Sequence, residues 1–342
     1  MNPTPNTVPE PQASSNRRLK SLAGYAFGLL IVVCLFAAFR SSAGRLHGAY
    51  LSITPSSALI GLAAGLLASA LSAWSWGATL RTLGCKASGR EMSRVWYRSM
   101  VARYVPGTVP GIAYRIALTT EIGVSRTIAA AATVVDWVCW LLSALFACLV
   151  TAPWWSVNAA NLAHGALPGS RWIGLAVALP VGLIMLHPRV IGWLIAKASS
   201  KAGAELPPEM SYRQTLRLIP IYLVKWPLYG LSIAVFLPGS AAGWVGHLPA
   251  ATGAFSLGWV GGFLSPISPG GLGVREGIIV GVLHGAAAAQ ALLAAALLSR
   301  LVTTAAEVLC WIGTVKKGAG LGARGARHEA WTEDVGRMKD EG

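Results

Sequence analysis

Apolar positions along the chain fall into long blocks parted by short polar and basic stretches. The blocks cover 22–39, 56–80, 127–150, 171–186, 218–237, 249–264 and 291–315, with a shorter apolar piece at 276–285. A membrane-crossing helix needs roughly 20 mainly apolar residues. The pattern therefore predicts an all-α polytopic membrane protein with about eight transmembrane helices. In the second block Gly61, Gly65, Ala68 and Ser72 form a small-residue face suited to close helix packing. Residues 1–20 read as a disordered cytoplasmic tail, 21–316 as the transmembrane domain, and 317–342 as a basic and polar cytoplasmic tail.

Two stretches break the block pattern. The first runs Tyr104-Val-Pro106-Gly107-Thr-Val-Pro-Gly-Ile-Ala-Tyr-Arg115, after a mildly apolar piece at 95–105 that is too short to cross. The second contains Ser265-Pro-Ile-Ser-Pro269-Gly270-Gly271-Leu-Gly273-Val-Arg275-Glu276. Proline and glycine interrupt helices. Bare backbone at membrane depth persists only where protein or trapped water satisfies it. Both stretches are predicted as Pro/Gly-broken re-entrant elements lining a cavity. The plainer alternatives are an amphipathic cytoplasmic loop for the first and a polar loop for the second.

Charge supports the membrane assignment and orients it. Only 12% of the residues are charged, against about 25% in ordinary soluble domains. The net charge is +15 and the pI about 10.1. In a soluble protein that excess would suggest nucleic acid. Here the Lys and Arg residues cluster in short loops between apolar blocks, as the positive-inside rule requires, apart from Arg40 and Arg45. Both termini are thereby expected in the cytoplasm, and no nucleic-acid partner is expected. The five cysteines form no CxxC pair and the six histidines are scattered, so no metal or other cofactor is expected.

Two charges, Asp136 and Arg300, fall deep inside apolar blocks, and two more, Lys225 and Glu307, have depths the sequence does not fix. A charge at mid-membrane is costly enough to face the protein interior and take a partner. For Asp136 the alternatives are a site for a cation, proton or positive head group, and a structural pair with an arginine from another helix. The surroundings of these charges echo one another. Thirty positions separate Pro106 from Asp136 and thirty-one separate Pro269 from Arg300, and each interval holds an arginine, Arg115 or Arg275. Corresponding Pro/Gly-broken segments point to an internal repeat around a transporter-like site.

The same residues carry a family resemblance. Arg-Tyr-x-Pro-Gly at 103–107, Arg115, Gly-Val-Ser-Arg at 123–126 and Pro-Gly-Gly-x-Gly-x-Arg-Glu at 269–276 resemble the lysylphosphatidylglycerol synthase transmembrane region, the flippase-like half of the bacterial multiple-peptide-resistance factor and of its stand-alone relatives. The resemblance implies a multi-pass bacterial inner-membrane protein that moves a phospholipid or lipid-linked head group between leaflets. By motif match, Tyr104, Pro106, Gly107, Arg115, Pro269, Gly270, Gly271, Gly273, Arg275, Glu276 and Arg300 carry over as substrate-binding residues. Asp136 stands where the family more often shows Glu. The family's large members add a soluble aminoacyl-transferase domain. Only 318–342 follow the last apolar block here, so the chain is expected to act without catalysing lipid aminoacylation.

Three functions remain in view. The first is a flippase-like transporter that is not an enzyme and has no ATP site of its own, since no Gly-x-x-x-x-Gly-Lys-Ser/Thr run is present. Its partners would be membrane lipids, an anionic phospholipid or a polyprenyl-linked substrate, with a homo-oligomer or a neighbouring lipid-modifying enzyme as protein partner. The second is a non-catalytic scaffold for such an enzyme. The third is a membrane-embedded transferase using Asp136 or Glu276 as a base.

Overall fold

The computed structural model describes residues 54–100, 108–155, 212–239, 241–265 and 269–315, with isolated positions between 180 and 193. Among these residues the chain is helical and contains no β-strand. The helices are α1 (Pro55–Thr82), α2 (Gly89–Met100), α3 (Thr108–Thr120), α4 (Arg126–Thr151), α5 (Tyr212–Leu223), α6 (Lys225–Ala234), α7 (Ala241–Leu264), α8 (Val274–Val282) and α9 (Ala289–Val315). A single 3-10 turn, Pro269–Gly271, stands between α7 and α8.

Local chemistry sets the helix starts. Thr54 and Ser57 cap α1 reciprocally: each backbone N–H donates to the other's hydroxyl at 3.1 Å, and Pro55 takes the first helical position. Ser88 and Glu91 do the same for α2, the Ser88 N–H donating to Glu91 Oε2 at 2.9 Å. Ser125 caps α4 through the Ile128 N–H. Gly84, at φ 83°, ends the first unit in the left-handed conformation that only glycine adopts without strain.

Helix α1 exposes large apolar side chains that a water-soluble bundle would bury. Helix α1 turns Leu59, Leu67 and Trp74 outward, at 66%, 54% and 51% exposure, while its buried face carries Ser57, Ser69, Ser72, Ser75 and Thr79. Trp76 and Leu80 are buried beside these small and hydroxyl residues, and large apolar side chains facing outward with small residues at helix contacts is the arrangement lipid favours. Gly65 lets α1 approach α9, since a Cβ there would meet Ala306 Cβ at 3.2 Å. Three helical stretches, Pro55–Thr82, Arg126–Trp154 and Ala289–Thr314, are long and apolar enough to cross a membrane. The protein is an all-α, multi-pass membrane protein.

Two predicted blocks take a different form. The block at 218–237 is not one rod. It divides at Val224 into α5 and α6, with Pro220 inside the first and Pro227 in the first turn of the second. Pro227 withholds the N–H that would bond to Leu223 across the junction and Pro220 the one to Leu216, while Val224 keeps helical dihedrals, φ −58° and ψ −26°, and its N–H donates to the Pro220 carbonyl at 3.3 Å. The block predicted to begin at 249 begins at Ala241, with Pro249 inside a helix of 24 residues. The predicted spans at 22–39 and 171–186 lie, wholly and for the most part, outside the described residues.

Candidate functional site

The first centre joins α3, α4 and α5. Asp136 on α4 is fully buried and accepts a bond from Arg115 Nη1 of α3 at 2.7 Å. Its other oxygen accepts from the Tyr222 hydroxyl of α5 at 2.5 Å. Arg115 Nε also donates to Ser99 Oγ at 3.1 Å, and the guanidinium carbon stands over the rings of Trp96 and Trp76, 4.6 Å and 5.2 Å from their centroids. Thr79 Oγ1 of α1 lies 2.8 Å from the Tyr222 hydroxyl. Helices α3 and α5 thus meet on the carboxylate of α4, and α1 and α2 hold the two donors in place. The dry surroundings strengthen each of these bonds and make loss of any partner costly.

The second centre joins α8, α9 and the 3-10 turn. Arg300 of α9 donates from Nη1 to Glu276 Oε1 at 2.6 Å and from Nη2 to the Gly270 carbonyl at 2.7 Å. The other oxygen of Glu276 accepts the Gly273 N–H at 2.7 Å. The turn is held open by Gly270, Gly271 and Gly273, at φ 60°, 70° and 82°. These left-handed conformations aim the backbone at the ion pair and are strained for any other residue. A Cβ on Gly271 would lie 2.6 Å from Gly262 Cα. The turn therefore rests backbone to backbone on α7, whose Gly258, Gly261 and Gly262 form a flat face against α8.

An aromatic wall connects the two centres. Trp140, one turn after Asp136, stacks on Trp259 at 5.0 Å and meets Trp226 edge-on at 5.5 Å. Trp226 reaches Phe255 at 6.5 Å, and Arg275 Cζ stands 3.8 Å over the Phe255 ring. Lys225 Nζ, fully buried, sits over Trp140 at 2.9 Å from the ring centroid.

Of the residues singled out in the sequence, Arg115 and Asp136 form one pair and Glu276 and Arg300 the other, with Gly270 and Gly273 bonded into the second. Gly271 makes the close approach to α7, and Pro269 opens the turn. Tyr104, Pro106 and Gly107 lie outside the described residues. The predicted equivalence of Arg115 with Arg275 does not hold in the contacts. Neighbouring positions on a helix point about 100° apart, and it is Glu276 that faces Arg300 while Arg275 covers Phe255. The echo is consequently reversed in sign, with the short helix supplying the cation in the first pair and the anion in the second. Sequence reasoning missed Tyr222, Ser99 and the aromatic wall. Tyr222 could have been found three residues before Lys225 in a proline-bounded block, a spacing that puts both on one helical face.

A helical multi-pass membrane protein, with two ion pairs buried against its spanning helices among the described residues, is the class these features define. The chain belongs to the lysylphosphatidylglycerol synthase TM region family, whose model matches residues 21–310. No curated protein matches it.

Proposed function

We propose that the protein is a flippase-like transporter of the bacterial inner membrane, moving a phospholipid or lipid-linked head group between leaflets without chemistry or an ATPase of its own. In this reading it has about eight spans, two re-entrant Pro/Gly elements and cytoplasmic termini. One observation carries it. Each of two buried carboxylate–guanidinium pairs ties a short helix beside a Pro/Gly element to a long apolar helix. Buried charges of this kind are expensive in a membrane interior and tend to mark substrate pathways. A lipid phosphate would compete for Arg115, Arg275 or Arg300, and the released Asp136 or Glu276 would meet a cationic part of the head group or wait for its arginine.

Translocation of a fluorescent phospholipid in proteoliposomes tests this. Asp136→Asn and Arg300→Gln are each expected to slow translocation roughly tenfold or more, a barrier change of about 1.4 kcal/mol. Wild-type rates equal to those of protein-free vesicles would refute transport. The full closure of both pairs favours a second reading, a membrane scaffold in which they only fasten helices together. That reading would lead if both variants, once folded, kept the protein's association with its neighbouring enzyme and its effect in cells.

A further inference from the structure

Among the described residues, five buried side-chain polar atoms have no hydrogen-bond partner: Ser69 Oγ, Lys225 Nζ and the indole N–H groups of Trp76, Trp140 and Trp244. Four of these are donors with nothing to accept from them. Three of the four surround the Arg115–Asp136 pair. Trp76 lies under the Arg115 guanidinium, Trp140 follows Asp136 by one turn of α4, and Lys225 stands on the Trp140 ring with Tyr222 and Trp226 as its other walls. The titratable neighbours of Lys225 from the packed elements are Asp136 and Cys139 on α4 and Tyr222 on α5. Each Asp136 oxygen already accepts a bond, from Arg115 or from Tyr222. The centre thus holds buried donors, walled by aromatic rings, that lie beyond hydrogen-bond reach of its one carboxylate. Buried polar groups in proteins are normally satisfied, and a cluster of unmet donors of one kind marks where a ligand belongs.

We infer that Lys225, Trp140 and Trp76, together with Arg115 and Tyr222, form a binding site for a phosphate-type oxyanion, in which Asp136 is the resident anion that the ligand replaces. The donors come from α1, α3, α4, α5 and α6, and an oxyanion with three or four oxygens matches their number better than a carboxylate with two. Lys225 opens α6 directly after the break at Val224, which is 58% exposed, so the box lies beside the point where the span divides. The inference rests on the lipid-moving reading and names the part of the substrate this centre holds.

The test uses the purified, delipidated full chain. Binding of phosphatidylglycerol and phosphatidylcholine is followed by native mass spectrometry, and stabilisation by inorganic phosphate by thermal unfolding. Lys225→Met is expected to weaken phosphatidylglycerol binding roughly tenfold or more, as loss of a charge-assisted bond does. Its ligand-free unfolding temperature is expected to stay level or rise, because an unmet buried donor has gone. Trp140→Phe keeps the ring, removes only the N–H, and is expected to weaken binding several-fold. Wild-type affinity in both variants overturns the site. So does a lowered unfolding temperature of Lys225→Met with unchanged affinity in the folded fraction, since the amine would then be structural. Lys225-dependent stabilisation by inorganic phosphate alone supports a site for soluble phosphate, and Lys225-dependent binding of phosphatidylglycerol alone supports a lipid head-group site. Lys225-dependent lipid binding without translocation supports the oxyanion site while sinking the transport reading. Translocation with Lys225-independent binding does the reverse.

Discussion

Asp136 is bonded from two sides, by Arg115 of α3 and by Tyr222 of α5. Removing its charge strands a buried guanidinium, which is 6% exposed. Asp136→Asn is therefore expected to cost about 3–5 kcal/mol of stability, and Tyr222→Phe about 1.5–3 kcal/mol. The double variant Arg115→Gln/Asp136→Asn is expected to lose less than the sum of its single changes, because the stranded charge is gone. Thermal unfolding in detergent micelles measures all of these, and strict additivity would contradict the pairing. Asp136 and Arg300 were legible in the sequence because a charge inside an apolar block has few innocent explanations. Tyr222 was not, since a tyrosine near the end of a block is ordinary at a membrane interface. The choice between Arg275 and Glu276 as partner of Arg300 depends on helix rotation, which adjacent residues in a sequence do not disclose.

At the scale of elements, the turn Pro269–Gly271 is shaped by contact with α7 as much as by its own glycines. Gly271→Ala forces a left-handed backbone on a residue with a side chain, about 1–2 kcal/mol, and adds a clash with Gly262. It is expected to lower the unfolding temperature and to loosen Arg300 from the Gly270 carbonyl. Gly277→Ala, in the exposed middle of α8 with nothing within 4 Å, is the matched control. It is expected to be neutral or to stabilise by up to about 1 kcal/mol. Equal effects of the two substitutions in an unfolding series would show that the turn does not need its left-handed conformation. The glycine-rich turn was legible because its residues admit few other conformations. The start of α7 was misplaced because Pro249 reads as a boundary, whereas a membrane helix tolerates an internal proline when its neighbours satisfy the freed carbonyl. The division at Val224 had its signal in Pro220 and Pro227, which tell that a helix is disturbed without telling where it parts.

For the whole molecule, cysteine accessibility checks the packing directly. Cys139 and Cys148 are buried on α4, while Cys85 and Cys310 are only partly covered. A maleimide is expected to label Cys85 and Cys310 first in the folded protein and to reach Cys139 and Cys148 only on denaturation; early labelling of Cys139 would place α4 wrongly. The membrane character, the small-residue packing face and the charged positions were legible because lipid restricts composition so strongly. How the short helices meet the long ones was not, because those contacts join positions far apart in the chain. The two-piece span has one further consequence. Helix α5 has 12 residues and α6 has 10, rods of about 18 Å and 15 Å, and neither alone crosses a hydrocarbon core of about 30 Å. An unbroken helix meets a thinner bilayer by tilting as a unit, but one that lacks backbone bonds at Pro220 and Pro227 is expected to bend there as well, beside Lys225. Acyl-chain length is then expected to act on the aromatic box through that bend.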